Sequence, residues 1–571
     1  MHVEKNVVDA AIGTILDISS KTKDHAKGRY DLKEMKIRKS LHPKDTTDGK
    51  RIKIAKACFS MTNGEKSIFC RVLKKAKLPD ESTSNISRCV QLDERKLSGY
   101  KTHDAHFMLH YLLPIPIKNI LPDHVAIALI RLSSFFRRLC QKVITVEEID
   151  CLEAKIIETI NRLEKIFPPT FFDIMIHLPI HLANEVRLGG PVQNQWMYLS
   201  ERDMCTFKSY VRNKNYPEGS ITEAYLVEEC LTLCSRYLHT GIRTRFNKRP
   251  QNDNEYGSGD APSFSLFPCK DCPLGAKKNA AIILDKKEHE LEVNGQPRRL
   301  KWSKAKNHSQ NFSKWFETRA LQDDVPDLIK EFSRGPNAVA KRYSGYLING
   351  YRFHIRQCNA RRKTQNSGVT LVASTTSFAS SKDKNPVHAD LTYYGRIVDI
   401  LELDYYGHFK VVLFKCDWYE VEKDTYSLTY VYFNKKCSLK EPFVLASQVH
   451  QCFYVQDQYD QDRHYVMKTV PRDLFNVSDH VESTTSESFE NEPSEQFMSP
   501  SIPNDNGEVV LIRNDVPETI IDVDAEGFLA EQHEVEHDSE SEDVYEEEYE
   551  EEFADDSEEE PGDYVDVEDE P

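Results

Sequence analysis

The apolar period changes once along this chain, and that change limits what it can fold into. Between residues 101 and 240 hydrophobic side chains recur at helical spacing, and after residue 340 they alternate in short β-branched and aromatic runs. Pro122 opens a stretch in which Val125, Ile127, Leu129, Ile130, Leu132, Phe135 and Phe136 are apolar on more than one side, as a buried helix requires. Ile149, Leu152, Ile156, Ile160 and Leu163 then follow at helical spacing until Pro168 and Pro169 stop them. Further helices are predicted over 170–188, 196–212 and 221–237. Downstream, Asn349-Gly350 between apolar alternations predicts a tight hairpin, and the runs 396–403 and 409–418 predict a second. Strands over 429–433, 443–454 and 464–470 complete a set that suggests a small barrel or strongly curved sheet.

The expected fold class is α+β multidomain. A mostly helical block is followed by a small β-barrel-like module and a disordered acidic tail. The boundaries read as 1–100 helical, 101–240 all-helical, 241–340 polar linker with short helices, 341–475 β-rich and 476–571 tail. Charge follows the same division. Of 92 acidic side chains, 28 lie between Asp515 and Pro571, where there is no Lys or Arg; the first 514 residues therefore hold 75 basic against 64 acidic groups, a net +11. Such a tail has too few apolar groups to offset the entropy of ordering it. A basic body with an acidic appendage suits a polyanion or a basic protein as partner. No apolar run reaches the roughly 18 residues a membrane span needs, and Met1-His-Val-Glu-Lys5 does not begin a signal peptide. The expectation is an intracellular, non-secreted protein of nucleus or cytoplasm with no membrane partner. The 14 cysteines are scattered among apolar neighbours and read as buried free thiols.

Several strings go further. Met1-His-Val-Glu-Lys-Asn6, Asn85-Ile-Ser-Arg-Cys89, Phe171-Phe-Asp-Ile-Met175, His177-Leu-Pro-Ile-His-Leu182, Tyr210-Val-Arg-Asn213 and Pro217-Glu-Gly219 together resemble the C-terminal part of plant CACTA (En/Spm-like) transposases, including the segment classed as DUF4218. Asn349-Gly-Tyr-Arg-Phe-His354, Arg362-Lys-Thr-Gln-Asn-Ser-Gly-Val369 and Val411-Val-Leu-Phe-Lys-Cys-Asp-Trp418 resemble the transposase-associated segment classed as DUF4216. The resemblance implies a ribonuclease-H-like core whose two metal ions rest on two Asp and one Glu. It maps the third acid onto Glu201, twenty residues after His181, and places the second Asp just before the Met1 string, where His2 remains. One carboxylate cannot cage two divalent ions at a phosphodiester, so the expectation is a binding protein and not a strand-transfer enzyme. No cofactor is then expected for this chain beyond zinc as a candidate, and magnesium belongs to an intact transposase. The alternatives are a fragment of an active transposase and a chromatin protein-interaction factor. DNA, a full-length transposase and chromatin proteins are the corresponding partners.

Each remaining candidate has a plain structural reading. His177 and His181, four residues apart, share one helical face and could share a zinc with Cys70 or Cys89, although hydrogen-bonded core histidines fit as well. Cys269-Lys-Asp-Cys272 lacks a second pair at finger spacing. His103, Asp104 and His106 suggest an acid and base, and helix capping explains them as readily. Two basic clusters, Arg243, Arg245, Lys248, Arg249 and Arg361, Arg362, Lys363, are the candidate phosphate contacts. Tyr393, Tyr394, Tyr405, Tyr406, Phe409, Trp418 and Tyr419 suggest a peptide groove, with barrel core as the simpler role.

Overall fold

The structure, a computed structural model, describes residues 2–19, 21–46, 51–80, 85–237, 311–312, 314–321, 327–377, 387–406, 409–437, 442–469, 510–522 and 564–566. It is an α+β assembly of a helical block and a β-barrel. The first helix, His2–Ile15, buries Val7, Val8, Ala11, Ile12 and Ile15 almost completely and packs against Thr102–Phe107 and Ile174–His177. Helix Asp123–Leu139 packs against Val146–Ile166, which in turn carries Pro179–Gly189. Thr145 and Glu148 form a reciprocal capping box at the start of Val146–Ile166, and Thr62 and Glu65 do the same for Asn63–Lys75. The stretch predicted over 170–188 divides at Pro179, which opens a new helix because it has no amide to continue the old one.

Pro114 has a larger consequence. It has no N–H for the His110 carbonyl four residues back, and its ring crowds that carbonyl. The chain widens into a π-turn over Met108–Leu112, closed by the Leu113 amide on the Met108 carbonyl at 2.8 Å.

Asn349 and Gly350, at φ 55° and 71°, make the predicted left-handed two-residue turn between Gly345–Ile348 and Tyr351–His354. The barrel is closed by six strands. Lys410–Lys423 pairs with Thr429–Lys436, then in turn come Arg463–Lys468, His450–Gln456, Gly368–Ser377 and Val387–Asp404, and the last returns to Lys410–Lys423. Phe353, Val369, Ile397, Ile400, Phe414, Trp418 and Val449 fill one of its cores. Tyr394, Tyr405, Phe409, Trp418 and Tyr419 are buried, so these aromatics are packing residues; Tyr406 is exposed.

Barrel and helical block share one apolar cluster. Tyr430, Phe453, Val455, Tyr465 and Met467 belong to the same core as Met108, Leu112 and Phe136. Phe453 meets Tyr111 edge-on at 5.9 Å. Lys118 lies buried at this seam with Nζ 2.8 Å from Asp424 and 3.4 Å from the Tyr465 ring centre.

Short pieces of the acidic tail are described, and they pair with the body. Thr519–Asp522 is a strand antiparallel to Arg51–Ile54, and Tyr564–Asp566 is a strand against Val339–Tyr343. Composition averaged over the acidic stretch hid a short apolar run, Val510-Leu511-Ile512, whose Leu511 and Ile512 pack on the helical core. Arg513 then forks onto Glu65, with Nη2 3.0 Å from Oε1. The rest of 476–571 lies outside the described residues. Burial raises the Glu65 carboxyl, and Arg513 with the Thr62 cap lowers it by more, so it titrates below its ordinary range. A carboxyl depressed on folding stabilises above its unfolded pKa of about 4.3 and loses that contribution as pH falls through the folded value. Glu65→Gln is therefore expected to cost about 1 kcal/mol at neutral pH. In thermal melts its gap from wild type should close below about pH 4.

Candidate functional site

Two places in this fold concentrate chemistry. The first is buried. His106, on Thr102–Phe107, and His110, on the π-turn, face Glu4 of the first helix. His106 Nδ1 lies 2.9 Å from Glu4 Oε2, and His110 Nε2 lies 2.7 Å from Oε1. The rings are tilted against each other with centres 3.9 Å apart, and Trp196 meets His106 edge-on at 5.7 Å. Cys140, at the end of Asp123–Leu139, places Sγ 3.8 Å from Glu4 Oε1. Burial opposes the Glu4 charge, and the two imidazoles overcome it, holding the carboxyl well below its usual range. Burial also pushes His110 down to about 4, so its ring is neutral at physiological pH. The glutamate is an acceptor facing two imidazole donors.

This cluster lies beside the group singled out in the sequence. Asp104 is buried and accepts the Lys101 amide at 2.9 Å, so it caps its helix, with His103 Nε2 3.4 Å away. His106 turns from that pair toward Glu4. Its four-residue spacing from His110 is a usable signal, the same one that picks out His177 and His181.

The latter two are exposed, with Nε2 atoms 3.1 Å apart. Among the described residues no third His, Cys, Asp or Glu joins them in a metal-sized cluster, and Cys70 is in the helical core. Glu201 falls on helix Tyr198–Tyr210, and its side chain is outside the described part of the molecule. Arg243, Arg245, Lys248, Arg249, Cys269 and Cys272 also lie outside the described residues.

The second place is the outer edge of the seam. The stretch Arg362-Lys-Thr-Gln-Asn-Ser-Gly368 leaves the short helix Arg356–Arg361 and enters the barrel. Gln365 bridges the two halves: its amide donates to the Leu78 carbonyl at 2.9 Å, and Nε2 donates to the Lys77 and Tyr454 carbonyls at 2.6 and 2.8 Å. Lys77 Nζ returns two bonds, to the Asn359 and Arg362 carbonyls at 2.8 and 2.9 Å. Asn366 is buried between Asp80 and His354. This latch brings exposed Arg361, Arg362 and Lys363 beside the end of helix Asn63–Lys75, where Arg71, Lys74 and Lys75 are exposed. The nearby acid, Asp80, is largely enclosed and lies 3.9 Å from Arg362. Exposed cations from two segments distant in the sequence thus flank the latch, and such side chains can neutralise phosphates, although Lys74 Nζ also donates to the Ser87 and Val90 carbonyls.

Residues 139–253 match the family model DUF4218 and residues 401–467 match DUF4216, each described as a domain of unknown function. The two together are typical of plant transposase-like proteins and suggest a transposon-related family. No curated protein and no solved structure matches it. No helix among the described residues is long and apolar enough to cross a membrane.

Proposed function

We propose that this chain is a CACTA-type transposon-derived protein that binds duplex DNA through the basic edge of its seam, in the nucleus. The observation that carries the reading is the latch. Gln365 and Lys77 tie the segment that carries Arg361, Arg362 and Lys363 to the end of the helix that carries Arg71, Lys74 and Lys75. Their rigid backbone anchors matter, because phosphate contacts made from fixed elements lose less side-chain freedom on binding than contacts from a loose loop. The net +11 of residues 1–514 adds long-range attraction.

Binding of the full chain to a labelled duplex, followed by fluorescence anisotropy, tests this. Arg361→Glu with Arg362→Glu and Lys363→Glu is expected to weaken binding roughly 100-fold at moderate salt. These side chains are exposed and the latch takes a backbone carbonyl from Arg362, but the Arg362 guanidinium lies 3.9 Å from Asp80, so a variant with Arg362→Gln in place of Arg362→Glu is measured beside it and both are checked by thermal melt. Unchanged affinity in the triple variant would exclude this edge as the DNA surface.

A further inference from the structure

The Glu4, His106 and His110 cluster takes no part in the DNA reading, and its composition is that of a cation site. We propose that it binds one zinc ion, with Glu4, His106 and His110 as ligands and Cys140 as the fourth. The ligand atoms of the first three already lie within 4.8 Å of one another, whereas Cys140 Sγ, 3.8 Å from Glu4 Oε1, lies outside that group and completes the tetrahedron by turning its side chain inward. Zinc bonds of roughly 2.0–2.1 Å set tetrahedral neighbours about 3.3 Å apart. The present contacts of 2.7 and 2.9 Å need open only slightly to admit the ion.

Charge fits as well. Coordination turns the imidazole nitrogens that now face Glu4 toward the metal, and each ring carries its proton on the other nitrogen. Cys140 releases its thiol proton to solvent, as zinc ligation requires. The carboxylate and the thiolate then balance the dication, leaving a neutral group in an apolar interior. An ion has a way in through His106, whose side chain is 16% exposed while that of His110 is 2% exposed.

Location supports the assignment. The ligands come from the first helix, from Thr102–Phe107 with its π-turn, and from the end of Asp123–Leu139. The first helix is far from the others in the chain, with Glu4 106 positions from His110. A zinc ion there would staple the amino-terminal helix into the block, and structural zinc adds directly to folding free energy. Mixed His and Cys donors with one carboxylate also favour zinc over magnesium or calcium, which take oxygen ligands.

Zinc titration of the full chain by calorimetry, with metal content measured after gel filtration, decides this. One equivalent is expected to bind and raise Tm. A control variant carrying His177→Ala, His181→Ala, Cys269→Ser and Cys272→Ser is expected to retain that equivalent; of these, His177 and His181 are exposed and their loss leaves the core undisturbed. Glu4→Gln and His110→Gln, which keep size and polarity, should each weaken zinc roughly 100-fold, since even outer-shell partners cost 10–100-fold. Cobalt in place of zinc is expected to give the intense visible bands of tetrahedral coordination with a sulfur charge-transfer band. Failure of the wild type to take up zinc, or loss of the equivalent in the control variant, would overturn the proposal. Neither result bears on the DNA edge.

Discussion

Gly368→Ala is expected to cost about 3 kcal/mol or more, the largest effect of any one-carbon change in the barrel. Gly368 begins a barrel strand and pairs with Cys452 on one side and Arg396 on the other. A Cβ placed there would overlap the Cys452 carbonyl oxygen and sit 2.9 Å from its carbon and 3.0 Å from the Tyr454 ring. Backbone on the facing strand cannot yield as a side-chain tip does, so relief requires displacing the strand that also holds Gln365. Denaturant titration gives the number. Gly219→Ala, with nothing within 4 Å of its added carbon and a helical position, is the matched control and should be neutral or slightly stabilising. Comparable losses in the two variants would mean that the close approach at Gly368 is not what holds the barrel closed. Because the same displacement would release the latch, Gly368→Ala should weaken DNA binding as well.

Lys118→Met should be nearly as damaging, at about 3–5 kcal/mol, for an electrostatic reason. Lys118 is 4% exposed and Asp424 is its partner in the seam. Burial lowers the Lys118 pKa and Asp424 raises it in opposition, with a net downward shift. Removal of the ammonium strands the Asp424 carboxylate beside Tyr465 and Asp457, where little water reaches it. Asp424 also accepts the Tyr426 and Leu428 amides through Oδ1, at 2.9 and 2.8 Å, so the turn depends on it independently of its charge. Asp424→Asn keeps that oxygen. Lys118→Met combined with Asp424→Asn is therefore expected to cost less than Lys118→Met alone, because no uncompensated charge remains. Strict additivity of the two single changes in urea melts would show that the pair is not coupled.

Much of the architecture is legible in the residues, for local reasons. Pro122, Pro168 and Asn349-Gly350 act through their own backbone constraints, so the helix starting at Asp123, the stop after Ile166 and the hairpin turn can be placed from sequence. Most of the barrel aromatics take the simpler of their two roles and pack. What local pattern cannot give is pairing across long separations. The strand Thr519–Asp522 finds Arg51–Ile54 across most of the chain, and nothing near either segment announces the other. The histidine signal shows the same limit from a different side. His106 with His110 and His177 with His181 have identical spacing, yet one pair is enclosed around a glutamate from the first helix and the other faces solvent. Spacing fixes which face two side chains share; depth depends on what packs over that face. In the sequence the Arg362–Val369 string carries only a resemblance, and its physical content emerges with the fold. Gln365 and Asn366 are there to join two halves, and Gly368 to let two strands approach.

The salt dependence of duplex binding tests the central claim most directly. For wild type, log Kobs is expected to fall linearly with log salt, as counterion release demands. In the variant carrying Arg361→Glu, Arg362→Glu and Lys363→Glu the slope should become shallower by about 3, one for each phosphate that is no longer neutralised. Identical slopes for the two proteins, or a wild-type affinity that ignores salt, would contradict a DNA-binding edge built from the latch.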